Sequence, residues 1–166
     1  QVEIQSGIQF YDGITTAEIQ EILIRSASDL ISLDNPNYQY VAARLLLYAI
    51  RKSLYGRLWE LPHLYDHITD CIEKDVYDAD ILVKYTKEEI ETLNDIIDHG
   101  RDFIFTYAGL RQVADKYLVQ DRSSGKVYET PQFMYLLIAM TIFADYPQET
   151  RLDYVTRYYT AISKHR

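Results

Sequence analysis

The chain has 166 residues, 48% hydrophobic and 25% charged, a composition typical of one packed domain or of one and a half small ones. Its formal net charge of −8, without a long basic run, excludes a general nucleic-acid binder. The single cysteine, Cys71, excludes an intramolecular disulfide and favours a reducing compartment, so we expect a cytoplasmic protein.

The first residues lack a methionine and also lack the basic-then-apolar pattern of a signal peptide. We therefore expect the numbering to begin inside a longer natural chain. Apolar residues predict a short helix over 2–11, ending near Gly13; they are Val2, Ile4, Ile8 and Tyr11. Thr15 and Glu18 have the spacing of a capping box, which predicts that an amphipathic helix opens here.

A long helix from Asn35 to Gly56 is predicted to be the centre of the fold. Asn35 suits the N-cap, Pro36 the first helical position and Gly56 the C-terminal stop. The helix is apolar on most of its girth, so it should be packed from several sides. One stripe is basic and aromatic: Tyr40, Arg44, Tyr48, Arg51, Lys52 and Tyr55. These side chains either reach from a buried helix to water or form a site for an anion or nucleotide.

The second half of the chain is predicted to be helical around one small hairpin. A linker over 56–62 is the preferred domain boundary. We predict helices over 63–74, 78–84, 86 to about 100, 103–115, 131–145 and from 147 onwards. Thr86 and Glu89 have the spacing of a second capping box, at the start of the third of these helices. Segments 117–120 and 126–129 flank a glycine-containing turn and predict the hairpin. The apolar run from Phe133 to Ala144 should be a buried helix. The fold class is therefore mainly α, a multi-helix domain with one small β-hairpin.

Two polar clusters contain residue types that can carry chemistry. His63, His67 and Cys71 share one helix face, but the distant second ligand pair of a zinc site is missing, so we predict no metal site. Cys71 should lie in the core with the histidines partly exposed. The run from Asp98 to Asp102 indicates helix-end ion pairs more than a catalytic base. No residue of the chain is predicted to be catalytic.

The order of segments along the whole chain carries a resemblance. The segments include Phe10-Tyr11-Asp12-Gly13, Ala27-Ser28-Asp29-Leu30, Tyr40-Val41-Ala42-Ala43-Arg44, Leu64-Tyr65-Asp66-His67, Lys116-Tyr117-Leu118-Val119-Gln120 and Glu149-Thr150-Arg151-Leu152. In this order they resemble the amino-terminal region of the large (alpha) subunit of class I ribonucleotide reductase. The resemblance implies two domains: residues 1–56 would be the back half of an ATP-cone, and 57–166 the helical domain before the catalytic barrel.

That family reduces ribonucleoside diphosphates to deoxyribonucleotides for DNA synthesis, and its activity is controlled by ATP and dATP. The resemblance implies that Thr16 and Lys52 belong to the effector site, with no other cofactor in this segment. It also implies that the catalytic cysteines lie elsewhere, so this segment alone should be inactive. The implied partners are the catalytic barrel and the radical-generating small subunit, with no nucleic acid and no membrane. The alternative is a free-standing helical protein-interaction module without catalysis.

Overall fold

The computed structural model describes residues 1–7 and 9–164. Its elements follow in chain order: α1 (Val2–Gly7), α2 (Thr16–Asp29), α3 (Tyr38–Tyr55), α4 (Leu64–Glu73), α5 (Asp80–Lys84), α6 (Lys87–Asn94), a 3₁₀ helix (His99–Ile104), α7 (Tyr107–Lys116), β1 (Gln120–Asp121), β2 (Lys126–Val127), α8 (Pro131–Phe143) and α9 (Gln148–Ser163). The predicted class, mainly α with one small hairpin, is confirmed. Among the described residues, no helix is both long and apolar enough to span a membrane.

The chain forms two compact units. The first unit comprises residues 1–58 and 102–117. In it α2 packs against α1 and α3, and α3 packs against α7. The central helix α3 therefore lies between two partners, which explains why Ala42, Leu46 and Leu47 are buried on it. The predicted assignment of 1–56 and 57–166 to two family domains stays a prediction.

The second unit comprises residues 59–101 and the chain from 118 onwards. In it α8 packs against α9, α4 against α6, and α6 against α9. The two short strands pair antiparallel, with Gln120 opposite Val127 and Asp121 opposite Lys126. The turn between them uses Gly125 at φ 70°, a left-handed conformation that favours glycine.

Several helix boundaries differ from the sequence predictions. The first helix ends at Gly7, short of the predicted Gly13, and Ile8 lies outside the described residues. The central helix begins at Tyr38, because residues 35–37 form a turn in which Pro36 accepts a hydrogen bond from Gln39. Its predicted end is confirmed, since Gly56 has φ 70° and donates its amide to Lys52. The helix that begins after Thr86 ends at Asn94, well before Gly100.

The apolar helix α8 is only partly buried, which corrects the prediction of a buried helix over 133–144. Phe133, Leu136 and Met140 are inside, whereas Ile138 and Ile142 are 41% and 50% exposed. Beside it lies a cluster of aromatic rings from the end of α8, from the link that follows and from α9, with the centroids of contacting rings 5.0–5.7 Å apart: Phe143, Tyr146, Tyr154 and Tyr158. Composition identified the helix as apolar, but it could not show which face finds a neighbour.

Candidate functional site

Thr16 is the first residue of α2, and the capping box predicted before it is confirmed. The Thr15 hydroxyl accepts the Glu18 amide at 3.2 Å, and the Glu18 carboxylate accepts the Thr15 amide at 2.8 Å. Thr16 itself is exposed at this helix end. Its position therefore combines a hydroxyl with the positive end of a helix dipole, which suits an anion.

Glu18 brings a negative charge to the same helix end. Its carboxylate also accepts a hydrogen bond from the Tyr11 hydroxyl at 3.1 Å. The hydrogen bond from the Thr15 backbone, together with those from the Thr15 and Tyr11 hydroxyls, holds the pKa of Glu18 below its usual value. Glu18 is therefore ionised at neutral pH, and a phosphate arriving at Thr16 would meet its charge.

Lys52 lies in the last turn of α3 and is exposed. Its ammonium is 5.7 Å from the centre of the Tyr48 ring, one helical turn earlier. Within the part of the chain that the structure describes, Lys52 has no ion-pair partner. An exposed cation without a carboxylate partner is available to an anionic ligand.

Thr16 and Lys52 lie at the same end of a helical hairpin. Helices α2 and α3 pack against each other and are joined by the short link 30–37, so they run antiparallel. Thr16 lies 13 residues before the end of α2, and Lys52 lies 14 residues after the start of α3. At 1.5 Å per residue both are about 20 Å from the link. The helical geometry thus supports the pairing that the resemblance implied.

Arg51 does not belong to the exposed stripe on which the sequence placed it, nor does it reach to water. Its Nη2 donates to Asp102 at 2.7 Å, and both side chains are buried. Its Nη1 donates to the Leu58 carbonyl at 3.2 Å, and its guanidinium stands 5.2 Å from the Phe103 ring centre. The exposed part of the stripe therefore contains Tyr40, Arg44, Tyr48 and Lys52.

An open depression of about 370 Å³ lies beside α2, and neither Thr16 nor Lys52 lines it. Its lining residues are Tyr11, Ala17, Glu18, Glu21, Ile22 and Arg25. Glu18 and Glu21 carry negative charges, whereas Arg25 carries the single positive charge of this lining. The depression is therefore a poor place for a phosphate group, and the candidate anion site remains the end of the hairpin.

Comparisons with known proteins agree on one family. The ribonucleotide reductase all-alpha domain matches residues 103–166. The ribonucleoside-diphosphate reductase 1 subunit alpha of Escherichia coli is 51% identical over 163 residues, or 98% of this chain. The alpha subunits of Haemophilus influenzae and of Enterobacteria phage T4 are 50% and 45% identical over 163 residues each, or 98% and 97% of the chain. The chain is similar to ribonucleotide reductase large subunits over nearly its whole length.

The resemblance predicted from the sequence is thereby confirmed. The chain spans about a fifth of the length of these relatives, since the matched residues make up 21% of each. The relatives are, by name, ribonucleoside-diphosphate reductases, which are oxidoreductases. The all-alpha description of the matched domain agrees with helices α7, α8 and α9, which lie within the matched range.

The three candidate metal ligands, His63, His67 and Cys71, do not converge on one point. His67 and Cys71 are buried, but the His63 side chain is 65% exposed and faces Glu91 at 3.5 Å. Among the described residues, no group of three or more His, Cys, Asp or Glu side chains could hold a metal ion. Cys71 lies in the core as predicted, whereas His67 is more deeply buried than the sequence indicated.

The second unit contains a buried hydrogen-bond network that the sequence did not predict. The Tyr77 hydroxyl donates to Glu129, whose other oxygen accepts the Val119 amide at 2.8 Å, and His67 Nε2 lies 3.1 Å from the Tyr77 oxygen. Burial raises the pKa of Glu129 and lowers that of His67 to about 4. No local sequence signal could have predicted this network, because His67 lies in a helix, Tyr77 in a link and Glu129 after the hairpin.

The run 98–102 forms ion pairs, as the sequence indicated. Arg101 Nε donates to Asp98 at 3.2 Å, and its guanidinium also donates to the Ser163 hydroxyl at the end of α9. The Asp98 amide donates to the Tyr159 hydroxyl at 3.0 Å. The cluster therefore connects α9 to the start of the 3₁₀ helix.

Proposed function

We propose that this chain is an amino-terminal regulatory and structural segment of a ribonucleoside-diphosphate reductase large subunit. The whole enzyme would make deoxyribonucleotides for DNA synthesis. The observation that carries the proposal is the identity of 44–51% to six bacterial alpha subunits over 98% of the chain. Identity of this extent over nearly every residue is difficult to reconcile with an unrelated helical interaction module.

The segment itself would not perform the reduction. Cysteine chemistry requires a thiolate or an accessible sulfur. Cys71 is buried, donates to the Tyr128 carbonyl at 3.7 Å, and has its pKa raised to about 12, chiefly by burial. These properties support a structural role. The catalytic cysteines would be supplied by a barrel domain of the same subunit and the radical by a small subunit, in the cytoplasm.

The end of the α2–α3 hairpin would bind the effector, ATP or dATP. Thr16 would contribute its hydroxyl and the amides of the helix end, and Lys52 a positive charge to the phosphates. The exposure of both residues and their position at one end of the hairpin support this assignment. No other cofactor is proposed for this segment.

Replacing Lys52 with alanine is expected to weaken dATP binding roughly 10- to 150-fold. The loss of a charge-assisted hydrogen bond typically costs about 1.5–3 kcal/mol. Titration calorimetry with dATP on the protein in its full natural length measures the change. Arg25→Ala is the matched control, because it removes an exposed cation from the same unit on the face that lines the depression. Equal dATP affinity in Lys52→Ala and in the parent protein would contradict the assignment.

Replacing Glu18 with glutamine is expected to tighten dATP binding by up to about five-fold. Glutamine can keep the capping box, while the change removes a negative charge next to Thr16. Two unit charges about 4 Å apart in water interact with about 1 kcal/mol. Glu21→Gln is the control, since it removes the same charge one turn further along α2. Weaker binding in Glu18→Gln than in Glu21→Gln would place the phosphates away from Thr16.

A further inference from the structure

The polypeptide passes between the two compact units at three peptide links. It leaves the first unit after Leu58, returns at Asp102 and leaves again after Tyr117. Leu58 and Asp102 are therefore the exit point and the re-entry point of the first unit. They are 44 residues apart in sequence, and the second unit contributes every residue between them.

Arg51 binds both of these points. One guanidinium nitrogen donates to the Leu58 carbonyl at 3.2 Å, and another donates to the Asp102 carboxylate at 2.7 Å. Both charged side chains are buried, so the ion pair is shielded from water and from salt. We call these three residues the Arg51 clamp.

The clamp requires the particular geometry of arginine. A guanidinium presents several donors in a rigid plane, so it can reach two acceptors at once while its face lies against the Phe103 ring at 5.2 Å. A lysine ammonium has no comparable plane. The clamp also fixes the last turn of α3, because Gly56 ends the helix only two residues before Leu58.

Lys52 is the next residue after Arg51 along this same turn. The two side chains point to different environments: Lys52 is exposed and Arg51 is buried. A ligand that orders the backbone around Lys52 therefore orders the backbone that carries Arg51. A shift of this turn would also move the guanidinium that binds the exit and re-entry points.

We propose that the Arg51 clamp is the positioning device through which nucleotide binding at Lys52 is transmitted to the two links at residues 58–59 and 101–102. The inference rests on the proposed effector function of Lys52. It adds a regulatory role for Arg51 and Asp102, neither of which would touch the nucleotide.

The test uses hydrogen–deuterium exchange of the protein in its full natural length, with and without dATP. Binding of dATP to the parent protein should slow amide exchange in residues 57–60 and 100–106 by about five-fold or more, the lower end of usual coupling between two sites. The double variant Arg51→Met with Asp102→Leu removes both buried charges together, which proteins often tolerate. It should bind dATP within about three-fold of the parent and lose this protection.

Two further variants keep the result interpretable. Arg111→Met with Asp115→Leu removes an exposed ion pair from α7 of the same unit. In this control variant dATP should still protect residues 57–60 and 100–106. Asp102→Asn keeps the shape of the side chain and one acceptor oxygen, and it should reduce the protection even if the double variant folds poorly. These two variants separate a role in transmission from a general loss of stability.

Equal protection by dATP in the parent protein and in the double variant would overturn the inference and leave the proposed function intact. Loss of dATP binding in the double variant would overturn it too, since the clamp would then be part of the binding site. If the parent protein does not bind dATP at all, the proposed function fails first and the inference falls with it.

Discussion

Replacing Arg151 with alanine is expected to lower the free energy of unfolding by about 3–5 kcal/mol, the usual cost of breaking a buried ion pair from one side. Arg151 donates from Nε to Glu89 at 2.9 Å and from a second nitrogen to the other carboxylate oxygen. Both side chains are only 9% exposed. Its guanidinium also lies 4.5 Å from the Tyr85 ring centre. Alanine would leave the Glu89 charge buried at the start of α6 without its cation.

Urea unfolding measures this change, with the slope of the transition checked between variants. Arg157→Ala is the matched control, because Arg157 lies on the same helix α9 and its pair with Asp153 is about 70% exposed. Its cost should stay within about 1 kcal/mol. Glu89→Leu combined with Arg151→Met should recover much of the stability, since no charge is then stranded. A loss below about 1 kcal/mol in Arg151→Ala would show that the pair contributes little.

Stability is expected to fall by up to about 3 kcal/mol as the pH decreases from 6.5 to 4, through His67 alone. Burial lowers the pKa of this histidine from 6.5 to about 4 in the folded chain. Between these values the unfolded chain binds a proton that the folded chain does not bind, so acid favours unfolding. The stability that depends on His67 being neutral is therefore fully present above pH 6.5. It is lost progressively as the pH falls towards 4.

Several polar and charged groups surround His67 and influence its protonation, so the test compares variants. They are Cys71, Tyr77, Asp70, Lys74, His99 and Glu129. Glu129 has the opposite effect, because burial raises its pKa and the folded chain then takes up the proton first. The difference in unfolding free energy between the parent and His67→Gln isolates the histidine. This difference should change as the pH falls from 6.5 to 4, and a difference that stays constant over this range would contradict the expectation.

Local chemistry predicted those parts of the fold that depend on neighbouring residues. The boxes formed by Thr15 with Glu18 and by Thr86 with Glu89 are both present, because each needs only three residues of spacing. Gly56 and Gly125 have positive φ at the predicted helix end and hairpin turn. These signals do not depend on the rest of the chain, so the sequence alone was sufficient.

The sequence predictions failed where the environment of a side chain depends on a partner that is distant in sequence. Helical periodicity placed Arg51 with Lys52 on one wet stripe, yet Arg51 finds Asp102 at a separation of 51 residues and is buried. The same limitation applies to Ile138 and Ile142, since an apolar helix does not reveal which face lacks a neighbour. A helix wheel describes one helix at a time, whereas these contacts depend on which two elements pack against each other.

The candidate effector site is intermediate between these two cases. Thr16 and Lys52 were assigned by resemblance, and the antiparallel pairing of α2 and α3 brings them to one end of the hairpin. The double role of Glu18 could not be foreseen, because its hydrogen bond to Tyr11 depends on how residues 9–14 fold back. That carboxylate is the feature of the site most open to testing by charge removal.

The exit point of the first unit also gives the protein an optical probe of its own. The chain contains one tryptophan, Trp59, which follows Leu58 directly and is 62% exposed. Its indole can be excited at wavelengths where the sixteen tyrosines absorb little. Fluorescence from Trp59 therefore reports on the residue next to the Arg51 clamp without any label. Stopped-flow mixing with a nucleotide would then give the speed at which this link responds.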